Sequence, residues 1–167
     1  MSMPLESEQK IKRPQNAERP FPWRCRHCGN LEVQPGTTRY TATVRHDGRL
    51  HTFDVSELRL PICRSCGELV FTGEADRQVT EGLRSHLNLL TPDEIRAALA
   101  RLGMSQKEAA GRLGVAEETL SRWVNEFQIQ SRAMDNLLRL FFTFPVVREA
   151  LSGDAPVGDE VLRPVAG

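Results

Sequence analysis

An excess of charge of either sign is missing: 22 lysines and arginines meet 22 aspartates and glutamates in 167 residues. The strongly basic balance that would announce a nucleic-acid binder is therefore absent. Long apolar runs are absent too. No stretch approaches the roughly 18 to 20 residues that span a bilayer, and the first residues lack the apolar core of a secretion signal, so a cytoplasmic protein with no membrane partner is expected. There is no glycine-rich phosphate loop and no H-E-x-x-H run, and the few Ser, His and Asp residues form no recognisable nucleophilic grouping, so an enzyme is not expected. Cysteine is scarce as well, with four in the chain.

Those four are placed as two pairs, Cys25-Arg-His-Cys28-Gly and Cys63-Arg-Ser-Cys66-Gly, with 34 residues between them. A C-x2-C loop followed by glycine folds as a knuckle that aims two thiolates at one point, and two knuckles complete a tetrahedral shell around one Zn2+. A reducing cytoplasm disfavours disulfides, and a redox C-x-x-C needs no twin. Iron in a rubredoxin-like site is the competing occupant. Four thiolates leave no open position, so the metal is expected to be structural. A unit of about 50 residues needs that support, because zinc binding contributes roughly 10 to 16 kcal/mol of apparent free energy in finger peptides. His27, His46, His51 and His86 are read as exposed side chains.

Residues 1–22 carry four prolines, several charges and almost no apolar periodicity, the composition of a disordered arm. Residues 23–72 form the expected four-cysteine β domain. Within it the β-branched runs 37–46 and 49–55 flank Asp47-Gly48, a hairpin signal, and 56–61 leads into the second knuckle. From 73 to 90 the period turns helical, with Ala75, Val79, Leu83 and Leu87 four apart. This connecting helix packs its stripe either on a domain or between subunits, and Gly82 weakens it by up to about 1 kcal/mol.

Residues 91–151 read as five helices. Thr91-Pro-Asp-Glu94 is a strong helix start, with Ile95, Ala98, Leu99 and Leu102 on the buried side. Ser105 caps the next helix, Glu108 is placed to reach back to the cap, and Gly114 takes the positive φ that ends it. A following helix opens near Ala116 or Glu117 and buries Leu120 and Trp123. Ser131 caps another, lined by Met134, Leu137, Leu138 and Phe141, and a short last helix follows Pro145. The tail 152–167 is expected to be loose. The two helices around Gly114 form a helix-turn-helix whose second member presents its outer face.

Ser105, Gln106, Gly114, Val115, Thr119, Ser121, Arg122 and Trp123 make this stretch resemble the helix-turn-helix of the phage-repressor (XRE-like) family. The order of the whole chain, with Leu90-Thr-Pro-Asp-Glu-Ile95, Leu102-Gly-Met-Ser-Gln-Lys-Glu-Ala109 and Ser131-Arg-Ala-Met-Asp135, resembles the MqsA-type, or YgiT-type, zinc finger and helix-turn-helix antitoxins. The fold class expected is thus α+β, a small zinc-ribbon-like β domain followed by an all-α five-helix repressor-like domain. The resemblance implies a homodimeric transcriptional regulator on an operator palindrome in double-stranded DNA. In antitoxin members the zinc domain also binds a small ribonuclease toxin. It further implies that Arg122 reads a guanine and that Glu118 stands where the family has asparagine. Ser105, Gln106 and Lys107, at a helix N-terminus, are the expected phosphate contacts. Glu117, Thr119 and Ser121 share the reading helix. The family's Glu-Asn-Gly turn is replaced by Val124-Asn125-Glu126. Leu140, Phe142, Phe144 and Val147 are candidates for the dimer patch. An acidic start to the reading helix also fits a second class of function, a protein-interaction adaptor with little DNA affinity.

Overall fold

The computed structural model describes residues 19–126 and 128–153. The arm before residue 19 and the tail after 153, both expected from composition, lie outside the described residues. Three antiparallel strands, β1 (Trp23–Arg24), β2 (Leu31–His46) and β3 (Arg49–Cys63), form a sheet in the order β1-β2-β3. Six helices follow: α1 (Gly73–His86), α2 (Pro92–Arg101), α3 (Gln106–Leu113), α4 (Glu117–Val124), α5 (Arg132–Thr143) and α6 (Pro145–Ala150). This is an α+β protein with a zinc-ribbon-like sheet and a helical helix-turn-helix unit. Among the described residues no helix is long and apolar enough to cross a membrane.

The hairpin turns at Asp47 and Gly48, whose φ angles of 48° and 75° give the doubly left-handed turn that matches strand twist. Pairing then runs from His46↔Arg49 to Val33↔Cys63, well beyond the expected 37–46 and 49–55. Two features hid that length. Pro35 pairs with Pro61, and the carbonyl of Pro61 points away from β2 to accept the Val70 N–H at 2.9 Å. The missing N–H of Pro61 would have pointed the same outward way, so no rung of the ladder is lost. The second feature is a bulge, since the register moves from Thr38↔Leu58 to Tyr40↔Val55 and leaves Arg39 opposite Ser56 and Glu57. Residues 56–61 are therefore strand, not a lead-in to the knuckle.

Helix α1 lays its stripe on this sheet. Leu83, Val79 and Leu87 pack with Ala42, Phe53 and Val55, and Ala75 packs with Leu58 and Leu60. Gly82 permits the approach: a Cβ there would lie 2.9 Å from Phe53 Cε2 and 3.2 Å from Val55 Cγ2. The residue that weakens the helix thus allows its contact. On the same helix the Gln78 amide accepts from the Arg59 N–H at 3.0 Å and donates to its carbonyl at 2.9 Å, closing part of the β3 edge.

The helical unit has its own core, with Ile95, Leu99, Ala109, Leu113, Leu120, Trp123, Leu138 and Phe141 all buried. Thr91 and Glu94 make a complete capping box. At α3 only half of one forms. Ser105 accepts the Glu108 N–H at 3.1 Å, but the Glu108 carboxylate turns forward to Arg112 at 2.9 Å. Phe142 is 8% exposed and belongs to the core, so it leaves the set of dimer candidates, whereas Leu140 and Phe144 are exposed.

The two units touch at the hairpin tip. Asp47 accepts the first N–H of α5, from Arg132, at 2.7 Å, and the Arg132 guanidinium donates to the Leu87 carbonyl. The α1 end and the start of α5 both crowd this tip, which corrects the expectation for its histidines. His46 and His51 are half-buried rather than exposed, whereas His86 is exposed; the His46 ring lies 6.4 Å from that of His51, which is 6.0 Å from His86.

Candidate metal centre and nucleic-acid interface

The two knuckles are built alike. In the first, the Gly29 N–H donates to the Cys25 carbonyl at 3.0 Å and the Cys25 N–H to Asn30 at 2.8 Å. In the second, the Gly67 N–H donates to Cys63 at 2.9 Å and the Cys63 N–H to Glu68 at 2.9 Å. Gly29 and Gly67 close these loops with φ angles of 79° and 76°, values that favour glycine. The sheet brings the knuckles together, because β1 and β2 place the first beside the end of β3, and the Arg64 N–H donates to Glu32 at 2.9 Å.

The four Sγ atoms all lie within 4.8 Å of one another. Cys25 and Cys66 are 3.7 Å apart, and Cys28 and Cys63 are 3.6 Å apart. A tetrahedral shell at the zinc–sulfur distance has sulfur–sulfur edges of about 3.8 Å, so the donor set fits one metal ion. Electrostatics agrees. The Cys28 N–H, acting against burial and with help from the His27 N–H, holds the Cys25 thiol down at about 7. The Glu68 N–H pulls the same way on Cys66, yet burial and the neighbouring sulfurs of Cys63, Cys28 and Cys25 push that thiol up to about 12. Four sulfurs this close do not all ionise at neutral pH without a cation between them. Cys25, Cys28, Cys63 and Cys66 would hold the ion, whose role with all four donors engaged is to tie the two knuckles together. His27 is exposed and outside the cluster.

The helix-turn-helix positions its second helix by burial and one cation. Leu120, Trp123 and Val124 are buried, and the Arg96 guanidinium on α2 donates to the Val124 carbonyl at the end of α4. Gly114, with φ of 70°, makes the turn. Glu117, Glu118 and Arg122 stand exposed on the outer face of α4, while Thr119 and Ser121 are half-buried. The Ser121 hydroxyl accepts from the Asn125 amide at 3.1 Å. At the start of α3, Ser105 and Lys107 are exposed and Gln106 is half-buried. Ala116 precedes α4 with no side-chain cap, so Glu117 and Glu118 face the bare N–H end of that helix.

Sequence reasoning missed the polar centre behind this motif. Asp135 is fully buried and accepts from the Leu90 N–H at 2.7 Å, the Gln130 amide at 3.0 Å and Arg139 Nε at 2.7 Å. Gln130, also buried, donates to the Leu90 carbonyl at 2.8 Å. The signal was present, because Asp135 falls three and seven residues before Leu138 and Phe142 and so lies on the apolar face of α5. Arg139 donates onward to the Asn88 carbonyl at 2.9 Å. The segment between α1 and α2 is thereby tied to α5.

The helix-turn-helix family HTH_3 matches residues 95–140. Those residues form a helix-turn-helix domain. No curated protein matches the chain. Among solved structures, the crystal structure of the protein named "Putative DNA Binding Protein NE0471" from Nitrosomonas europaea is similar at 13% identity, with a TM-score of 0.34, over 68% of this chain and 95% of that one.

Proposed function

We propose that this protein is a sequence-specific DNA-binding transcriptional regulator whose N-terminal sheet is stapled by one structural zinc ion. The observation that carries the reading is the outer face of α4. Within a helix-turn-helix domain, Arg122 is exposed on that face and its guanidinium has no ion pair or hydrogen bond among the described residues. An unengaged arginine there is suited to a bidentate contact with guanine, and Ser105, Gln106 and Lys107 at the start of α3 are suited to phosphates. Glu117, Glu118, Thr119 and Ser121 complete the reading surface. In its finer form the proposal is a homodimeric repressor on a palindrome, the antitoxin of a toxin pair, with the zinc domain as the toxin-binding part. Leu140 and Phe144, 46% and 48% exposed, support a self-complementary apolar patch.

A second reading, a protein-interaction adaptor, is favoured by the exposed Glu117 and Glu118, which repel phosphates. Fluorescence anisotropy on duplexes from the upstream region of the protein's own gene separates the two. A regulator making six to ten phosphate contacts loses about 10³ to 10⁵ in affinity between roughly 50 and 200 mM salt. Salt-insensitive or undetectable binding supports the adaptor. A pull-down from the native cells then tests the finer form: promoter DNA with a small neighbouring partner supports the antitoxin, and promoter DNA alone supports a stand-alone repressor.

A further inference from the structure

Arg84 presents an unusual problem for a helix facing the second unit. It is 2% exposed, and among the described residues its guanidinium has one partner, Glu81, reached by Nη1 at 2.6 Å. Its Nε and Nη2 are buried with no hydrogen bond among the described residues. Leaving such donors unmet is among the more costly arrangements a core can hold. Arg84 lines a cleft of about 330 Å³ together with Glu74, Arg77, Gln78, Thr80 and Glu81 of α1 and, from the other unit, Glu126. Arg77 is taken by Glu74 at 2.5 Å and Arg84 in part by Glu81, so among the described residues Glu126 is the one carboxylate of this cleft without a partner.

Glu126 has a second peculiarity. Its φ is 65°, in the left-handed region where a side chain is a burden and glycine is favoured. It closes the loop directly after α4. A carboxylate on a strained backbone and a buried guanidinium with unmet donors therefore line one cleft, without being bonded to each other in this structure.

We propose that the Glu126 carboxylate pairs with the free Nε and Nη2 edge of Arg84, and that this ion pair positions the end of the DNA-reading helix against the zinc-bearing unit. Glu126 and Arg84 act as positioning residues, and their role in DNA reading rests on the function proposed above. The pair is a fork-to-carboxylate match, the geometry for which guanidinium is best suited. It sets the loop through the backbone of Asn125 and Glu126, while Arg96 on α2 holds the Val124 carbonyl.

The full chain tests this through the sign of one substitution. With no pair, Glu126→Gly relieves the left-handed backbone and raises Tm. With the pair, it lowers Tm by about 3 to 6 °C. In an Arg84→Met background the same substitution raises Tm, and that inversion is the expected result. Should Arg84→Met fail to fold, NMR decides: the Arg84 Nε–H resonance is protected from exchange in the parent protein and loses protection in Glu126→Gln. A rise in Tm for Glu126→Gly in the parent chain, or an Arg84 Nε–H unaffected by Glu126→Gln, overturns the pair. Operator affinity is read alongside. A parent chain without DNA affinity defeats the regulator reading, while the Tm and NMR results still decide the pair. Glu126→Gln weakening the specific duplex by about tenfold, with non-specific DNA unchanged, supports positioning, and equal affinity of Glu126→Gln and the parent chain for the specific duplex overturns it.

Discussion

Asp135→Ala removes the acceptor around which the helical domain is tied, and its cost follows from the three bonds that end there. The Leu90 N–H, at 2.7 Å, loses its acceptor in a part-buried site, which costs about 1 to 3 kcal/mol. The Gln130 amide loses one bond of 3.0 Å but keeps the Leu90 carbonyl, so its loss is nearer about 1 kcal/mol. Arg139 is 41% exposed, and its head swings to water and to Asn88, so that arm contributes little. The expected loss is about 3 kcal/mol, with a small further term for the vacated volume. Asp135→Asn preserves shape and one acceptor and should cost roughly half as much. The assay is urea unfolding in a Trp23→Phe background, where emission comes from Trp123 alone, buried in the helical core. A loss below about 1 kcal/mol for the alanine variant, or equal losses for Ala and Asn, would refute the reasoning, because the network would then be worth no more than a surface contact.

Cys63→Ser should lower bound metal from one ion per chain to near zero by elemental analysis and abolish amide protection at both knuckles, while the α1-covered half of the sheet, whose apolar contacts lie apart from the cysteines, keeps its own protection. Retention of one full metal equivalent would defeat the four-cysteine centre. Gly82→Ala pits a helix-propensity gain of about 1 kcal/mol against overpacking of about 1 to 3 kcal/mol. The buried Phe53 ring stands 2.9 Å from the new Cβ, so thermal melting should show a lower Tm, and a rise would mean that α1 rides further from the sheet. Arg122→Ala should weaken the preferred duplex by about 1 to 3 kcal/mol and relax selection at one base pair, measured by anisotropy across single-base variants. A uniform loss across all duplexes would make Arg122 a phosphate contact.

Much of this protein is decided within short stretches. The two C-x2-C-G knuckles, the Asp47-Gly48 turn, the caps at Thr91, Ser105 and Ser131 and the left-handed Gly114 are local devices. Each needs only its own few residues and the backbone geometry they permit, and each is found where its sequence places it. The helix-turn-helix and the convergence of four cysteines follow from such devices, which is why both were legible.

What depends on contact between distant residues was not. The hairpin continued past two prolines because one carbonyl found Val70, and the α1 stripe chose the sheet because Gly82 let it approach. The half-burial of His46 and His51, the removal of Phe142 from the surface and the meeting of Leu90 with Gln130 and Asp135 join positions tens of residues apart, whose pairing no local pattern encodes. Local sequence selects turns, caps and ligand pairs through backbone energetics. Which polar and apolar groups leave water, and against whom, is settled by the assembled core.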